Sequence, residues 1–94
     1  MKKYLINIHN IETKKGQSAN EVFNNSDNEP IETITFDNLE EAKKEFAKIK
    51  TGIKKMSGYY LHTCKVLEWA EYNDNGYWTN GDWLESDFPE IEEE

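Results

Sequence analysis

Apolar and polar positions alternate along Tyr4-Leu5-Ile6-Asn7-Ile8-His9-Asn10-Ile11, and a period of two places Tyr4, Ile6 and Ile8 on one face of an extended strand. The β-branched content of the segment favours the same conformation. From Glu12 to Pro30 the pattern dissolves into Asn, Ser, Lys and Gly, with Ala19, Val22 and Phe23 as the apolar anchors. That stretch reads as a long polar loop with one short helical turn. Its length is unusual for so small a domain and marks it as disordered or as a contact surface.

Ile31-Glu32-Thr33-Ile34-Thr35-Phe36 predicts a second strand, with Ile34 and Phe36 on the face that also carries Glu32. The helix that follows has the clearest pattern of the chain. Asp37 stands three residues before Glu40, the spacing of a capping box, so a carboxylate can accept from the open amides of the first turn. Leu39, Ala42, Phe46, Ile49 and Ile53 recur at helical spacing and form one apolar stripe. Gly52 falls where a left-handed C-cap stops the helix or loosens its last turn.

Tyr59 to Tyr72 reads as a long strand, with room for a bulge. It shows Tyr60, His62, Cys64, Val66 and Ala70 on one face and Leu61, Leu67 and Trp69 on the other. Asn73-Asp74-Asn75-Gly76 supplies the residues of a hairpin turn, and Tyr77-Trp78-Thr79 starts the return strand. Asn80-Gly81 marks a second turn or a bulge, Asp82-Trp83-Leu84-Glu85 continues the strand, and Pro89 leads into an acidic tail. The predicted order is β-β-α-β-β. With one helix, the economical arrangement is an α+β fold: an antiparallel sheet of about four strands carrying one amphipathic helix on one face. Residues 1–88 then form a single domain with a long polar loop at 12–30, followed by the tail 89–94.

Ninety-four residues suffice for one small core and exclude a multi-domain machine. The apolar fraction is low at 36%, so the aromatic residues, 13% of the chain, must supply much of the buried area. A single cysteine, Cys64, excludes an internal disulfide and fits a reducing compartment. No apolar run reaches the roughly 18 residues of a membrane span, and the polar Asn7 interrupts the start of the chain before a signal-peptide core could form. A soluble cytoplasmic protein is the expectation.

Charge changes the picture more. The net charge is −8, and every cation is a lysine. Residues 1–67 hold all eleven lysines and nine acids, whereas residues 68–94 hold ten acids and no lysine. A concentrated negative field of this kind disfavours direct contact of the C-terminal quarter with DNA or an anionic membrane.

Three constellations invite chemistry. His62 and Cys64 share a strand face, which would allow a thiolate–imidazole pair or two metal ligands. One cysteine and two histidines cannot furnish a four-ligand zinc site, however, and no orienting group or oxyanion hole is announced. Burial of Cys64 as a small apolar residue is the expected outcome. Glu71-x-Asn73-x-Asn75-Gly76, with Asp82 at position twelve, has some of the spacing of an EF-hand calcium loop. It begins with Glu, ends with Asp and is flanked by strands, and a hairpin explains the same residues. Lys43, Lys44, Lys48, Lys50, Lys54 and Lys55 follow Asp37, Glu40, Glu41 and Glu45, so acids sit at the positive end of the helix dipole and lysines at the negative end. That is a solvated helix face, and no arginine is present for bidentate phosphate contacts. No catalytic residue, metal or cofactor is expected.

The remaining candidate is the C-terminal quarter, which holds all three tryptophans interleaved with acids. Pleating buries about half of its aromatics. Exposed aromatics in a charged rim have the composition of a protein-binding hot spot, and a negative rim selects a basic partner. The candidate partner-binding residues are Glu71, Asp74, Trp78, Asp82, Trp83, Glu85, Asp87 and Glu90. From Asp82 to Glu94 seven acids over an extended path at roughly 3.3 Å per residue give about one charge per 6 Å. Duplex DNA carries one per about 1.7 Å of axis. The segment alone is too dilute to imitate DNA, but with Glu68, Glu71 and Asp74 beside it, it can occupy part of a basic channel.

In size, acidity, asparagine content and lysine without arginine, the chain resembles the small acidic proteins of phages and mobile elements, and among them the anti-CRISPR inhibitors. The resemblance covers composition and length, with no shared motif. It implies a non-enzymatic inhibitor that occupies the nucleic-acid-binding surface of a basic protein such as a Cas effector, without binding nucleic acid or membrane itself. The alternative is an accessory or structural α+β module that self-associates, as a homodimer, through an edge strand, its acidity serving solubility.

Overall fold

Residues 1–25 and 29–91 are described by the structure, a computed structural model. The part of the polar loop at 26–28 and the end of the acidic tail at 92–94 lie outside the described residues. The elements are β1 (Lys2–Thr13), α1 (Ala19–Asn25), β2 (Glu32–Phe36), α2 (Leu39–Lys48), β3 (Gly52–Lys55), β4 (Tyr60–Tyr72) and β5 (Trp78–Asp87). All pairings are antiparallel. β1 and β4 form the centre, paired along their whole length from Lys2 opposite Glu71 to Thr13 opposite Tyr60. β2 flanks β1, and the far side of β4 is shared by β5, against Lys65–Tyr72, and β3, against Tyr60–Thr63.

The α+β class and the antiparallel sheet agree with the sequence pattern, but the element count does not. There are five strands among the described residues where about four were expected, and two helices where one was expected. The predicted helix is too long: α2 ends at Lys48, and Ile49 is already extended (φ −73°, ψ 125°), so Ile53 belongs to β3 and Gly52 opens a strand instead of capping a helix. The cap also moves by one residue. Asn38 accepts from the backbone amides of Glu40 and Glu41, while Asp37 turns to an ion pair with Lys3. β1 runs on to Thr13, and the short helical turn expected in the polar loop is a seven-residue helix, Ala19–Asn25, because Ala19, Val22 and Phe23 pack on the sheet. The bulges fall on β5: the register skips Thr79 between Trp78 and Asn80, and Leu84 between Trp83 and Glu85.

Residues opposite one another in an antiparallel pair share a face, and both faces of this sheet are used. On one, Ile6 and Leu67 bury against Ala42 and Phe46 of α2, with Tyr4, Ile8, Ile34, Phe36, Leu39 and Ile49 around them. On the other, Ile11 and Cys64 pack against Ala19, Val22 and Phe23 of α1 and against Phe88, which follows β5. The central strands therefore carry two inward sets. Lys65 is the exception on the α2 face. It is buried, its Nζ donates to the Phe46 carbonyl at 2.5 Å and the Ile49 carbonyl at 2.9 Å, and it lies 4.3 Å from the centre of the Phe46 ring. A cation thus closes the negative end of α2. Among the described residues, no helix is long and apolar enough to cross a membrane.

Candidate partner-binding surface

The β4–β5 hairpin carries most of the candidate residues. Its turn closes on Asn73, whose side-chain Oδ1 accepts from the amides of Asn75 and Tyr77, with Gly76 in the left-handed region at φ 83°. Glu71, Asp74, Trp78, Asp82, Trp83 and Glu85 are all exposed. Register sorts them. Asp82 is opposite Trp69 and Glu85 opposite Leu67, so these acids share the α2 face with Glu71. Trp83 is opposite Glu68 and Trp78 opposite Tyr72, so both tryptophans look out on the α1 face. The acids and aromatics that alternate in sequence are divided by the pleat, and a partner touching both must straddle the β5 edge.

The two tryptophans differ. Trp83, 43% exposed, leans on Phe23 and Phe88 at ring separations of 5.5 and 6.0 Å, and Phe23 and Phe88 are themselves 5.1 Å apart. Trp78, 61% exposed, lies over Gly81: a Cβ there would sit 3.0 Å from the indole Nε1 and 2.6 Å from the Trp69 carbonyl oxygen. Gly81 is thus what lets β5 approach β4 beneath Trp78. The third tryptophan, Trp69, takes the Lys2 ammonium over its ring at 4.7 Å.

Asp87, half-buried, and Glu90, exposed, each make a hydrogen bond to another part of the chain. Asp87 Oδ2 accepts from the Thr51 hydroxyl at 2.7 Å, and Glu90 Oε1 accepts from the Asn20 amide at 3.2 Å. Between them, the Pro89 carbonyl accepts from His62 Nδ1 at 2.8 Å, and His62 Nε2 is 2.7 Å from the Thr13 hydroxyl. A carbonyl can only accept, so Nδ1 carries the proton and, in the neutral ring, Nε2 accepts from Thr13. These bonds hold residues 88–90 across the α1 face and tie the end of β5, at Asp87, to Thr51. Sequence reasoning missed the strap, since nothing in the spacing of Thr13, His62 and Pro89 announces it.

Both nitrogens of His62 are committed, and the Cys64 thiol, buried beside the strap, points to the His62 carbonyl at 3.9 Å. Burial, reinforced by the carboxylates of Glu90 and Asp87, pushes that thiol up to about 12. The two residues share a face without forming a thiolate–imidazole pair. The span from Glu71 to Asp82 lies on two paired strands and a turn instead of enclosing a centre, and among the described residues no three His, Cys, Asp or Glu side chains gather as metal ligands. A groove of about 480 Å³ between Lys15–Ser18, Tyr60 and Glu90–Ile91 lies away from the hairpin turn.

His9 is the second buried histidine, set edge-on to Phe23 at 4.9 Å, and among the described residues its Nδ1 has no hydrogen-bond partner. Burial lowers its pKa below 6.5, against the opposing pull of a backbone hydrogen bond with Glu29 and the Glu68 carboxylate. Below about pH 6.5 the unfolded chain takes up a proton at His9 that the folded chain resists, so stability falls on acidification through that range. Above it this group has no effect. Urea midpoints should therefore drop between pH 7.5 and pH 5.5, and His9→Gln should flatten the drop; an unchanged slope in that variant would locate the acid sensitivity elsewhere.

Compared with protein-family models, with curated proteins and with solved structures, the chain matches none of them.

Proposed function

We propose that this chain is a non-enzymatic binding protein that inhibits by occupying part of a basic nucleic-acid-binding surface, as an anti-CRISPR protein does on a Cas effector. The observation that carries the reading is the state of the hairpin acids. Glu71, Asp74, Asp82 and Glu85 are exposed, and the ion pair found among the described residues, Lys3 with Asp37, lies elsewhere. These hairpin acids form no ion pair among the described residues, although Lys2 lies across from Glu71; together with Trp78 exposed on the other face of the same edge they supply electrostatic steering and an aromatic anchor. Asp87 and Glu90 add to the field while holding Thr51 and Asn20.

The test is binding to candidate Cas effectors at rising ionic strength. Glu71→Gln, Asp82→Asn and Glu85→Gln together leave Asp87 and Glu90 in place, and should slow association roughly tenfold or more at low salt and remove most of the salt dependence. Affinity indifferent both to salt and to these changes would refute the electrostatic mechanism.

A further inference from the structure

β5 and β3 lie on the same side of β4 and run in the same direction, β5 along Lys65–Tyr72 and β3 along Tyr60–Thr63. They meet end to end. The hydrogen bond from the Thr51 hydroxyl to Asp87 ties the end of β5 to the residue before β3. The result is one composite edge, and among the described residues no strand pairs with its outer side. An open edge is a template for another strand. This one is charged by halves: Lys54 and Lys55 are exposed on β3, and Asp82 and Glu85 are exposed on β5.

We propose that the composite edge is the docking site of a second copy of this chain, paired antiparallel about a two-fold axis near Asp87. A two-fold axis normal to the sheet reverses the edge and lays β3 of one copy beside β5 of the other, which makes the contact self-complementary and closed. The register supports that axis. Asp87 is opposite Lys65 of β4, while Lys54 is opposite Leu61 and Asp82 opposite Trp69, each four residues from Lys65. Lys54 of one copy therefore meets Asp82 of the other, and both lie on the α2 face. Ile53, opposite His62, and Trp83, opposite Glu68, are likewise equidistant from Lys65 and share the α1 face. Each of these contacts occurs twice. The bulges at Thr79 and Leu84 and the edge charges discourage indiscriminate strands; the charge pair that this register matches is Lys54 with Asp82, made twice by symmetry, while Lys55 meets Gly81 and Glu85 meets Gly52.

The inference does not rest on the function proposed above and is tested without an effector; because the pairing covers Asp82 and Glu85, a second copy and an effector compete for this edge. Sedimentation of the full chain should show a concentration-dependent dimer that weakens with salt. Lys54→Glu with Lys55→Glu should abolish it, as should Asp82→Lys with Glu85→Lys. A mixture of these two variants should restore a dimer, because one edge is then wholly acidic and the other wholly basic. In the unaltered chain, amide exchange of Gly52–Lys55 and Asp82–Glu85 should slow at dimer-forming concentrations, a readout that needs no variant to fold. A monomer at every concentration in low salt, a dimer indifferent to both reversals, or unchanged exchange at this edge would each overturn the proposal.

Discussion

Lys65→Met should lower the unfolding free energy by about 2 kcal/mol and leave the fold intact. Methionine keeps the length and apolar stem that pack beside Phe46, so the change isolates the ammonium. What is lost is a pair of charge-assisted bonds to the Phe46 and Ile49 carbonyls, each of a kind that contributes roughly 1.5–3 kcal/mol, together with a cation at the negative end of α2. Relief of the cost of burying a charge offsets part of this. For a domain of this size about 2 kcal/mol corresponds to a fall of roughly 8–16 °C in melting temperature. Calorimetry with far-UV circular dichroism measures it, and a fall below about 2 °C would mean that desolvation cancels the bonds.

His62→Leu should cost about 2–4 kcal/mol, because it leaves two polar groups, the Thr13 hydroxyl and the Pro89 carbonyl, without the ring that satisfies them. The effect is local as well as global. Residues 87–90 lose the central of their three anchors and retain Thr51 on Asp87 and Asn20 on Glu90. Because the strap covers Cys64, the variant should expose the thiol through local opening. Iodoacetamide should then label Cys64 at least about tenfold faster in native buffer than in the unaltered chain. Equal labelling rates, with or without a stability loss, would show that His62 does not hold the strap.

Both expectations turn on residues whose roles are invisible in the one-dimensional pattern. Alternation along Tyr4–Ile11 and along Tyr60–Tyr72 identified β1 and β4 and split the latter into two faces, because a pleat imposes its period on the sequence directly. β3 was hidden by coincidence: Phe46, Ile49 and Ile53 keep helical spacing across the point where the backbone leaves the helix at Ile49. Four residues are too few to assert a period of their own. In α1, Ala19, Val22 and Phe23 do carry the i, i+3, i+4 spacing of a helix face, but in a seven-residue element among polar neighbours the signal is faint. Asn38 and Asp37 are equally good caps by residue type; Asn38 takes the role, and Asp37 pairs with Lys3.

The candidate surface was legible as a location and not as a shape. Charge and tryptophan content lead to the β4–β5 hairpin, but the assignment of acids to one face and indoles to the other depends on the bulges at Thr79 and Leu84, which shift the phase of β5. Asp87 and Glu90 looked like part of the same acidic rim; the bond of Asp87 to Thr51 follows from the meeting of β5 and β3, and that of Glu90 to Asn20 from the path of the strap across the α1 face.

The central ladder also sets a schedule for synthesis. β1 pairs along its entire length with β4, Lys2 with Glu71 and Thr13 with Tyr60, so the middle of the sheet cannot close until Tyr72 has left the ribosome. Before then, β1 can form only its ladder with β2, and Ile6 and Ile11 lack their cover from β4. Non-local pairing of this sort folds slowly. The unfinished chain thus presents an apolar, half-paired strand for the time the ribosome needs to add about 36 more residues after Phe36, a few seconds at usual elongation rates, and that interval is when a chaperone or another nascent copy has its best access to β1.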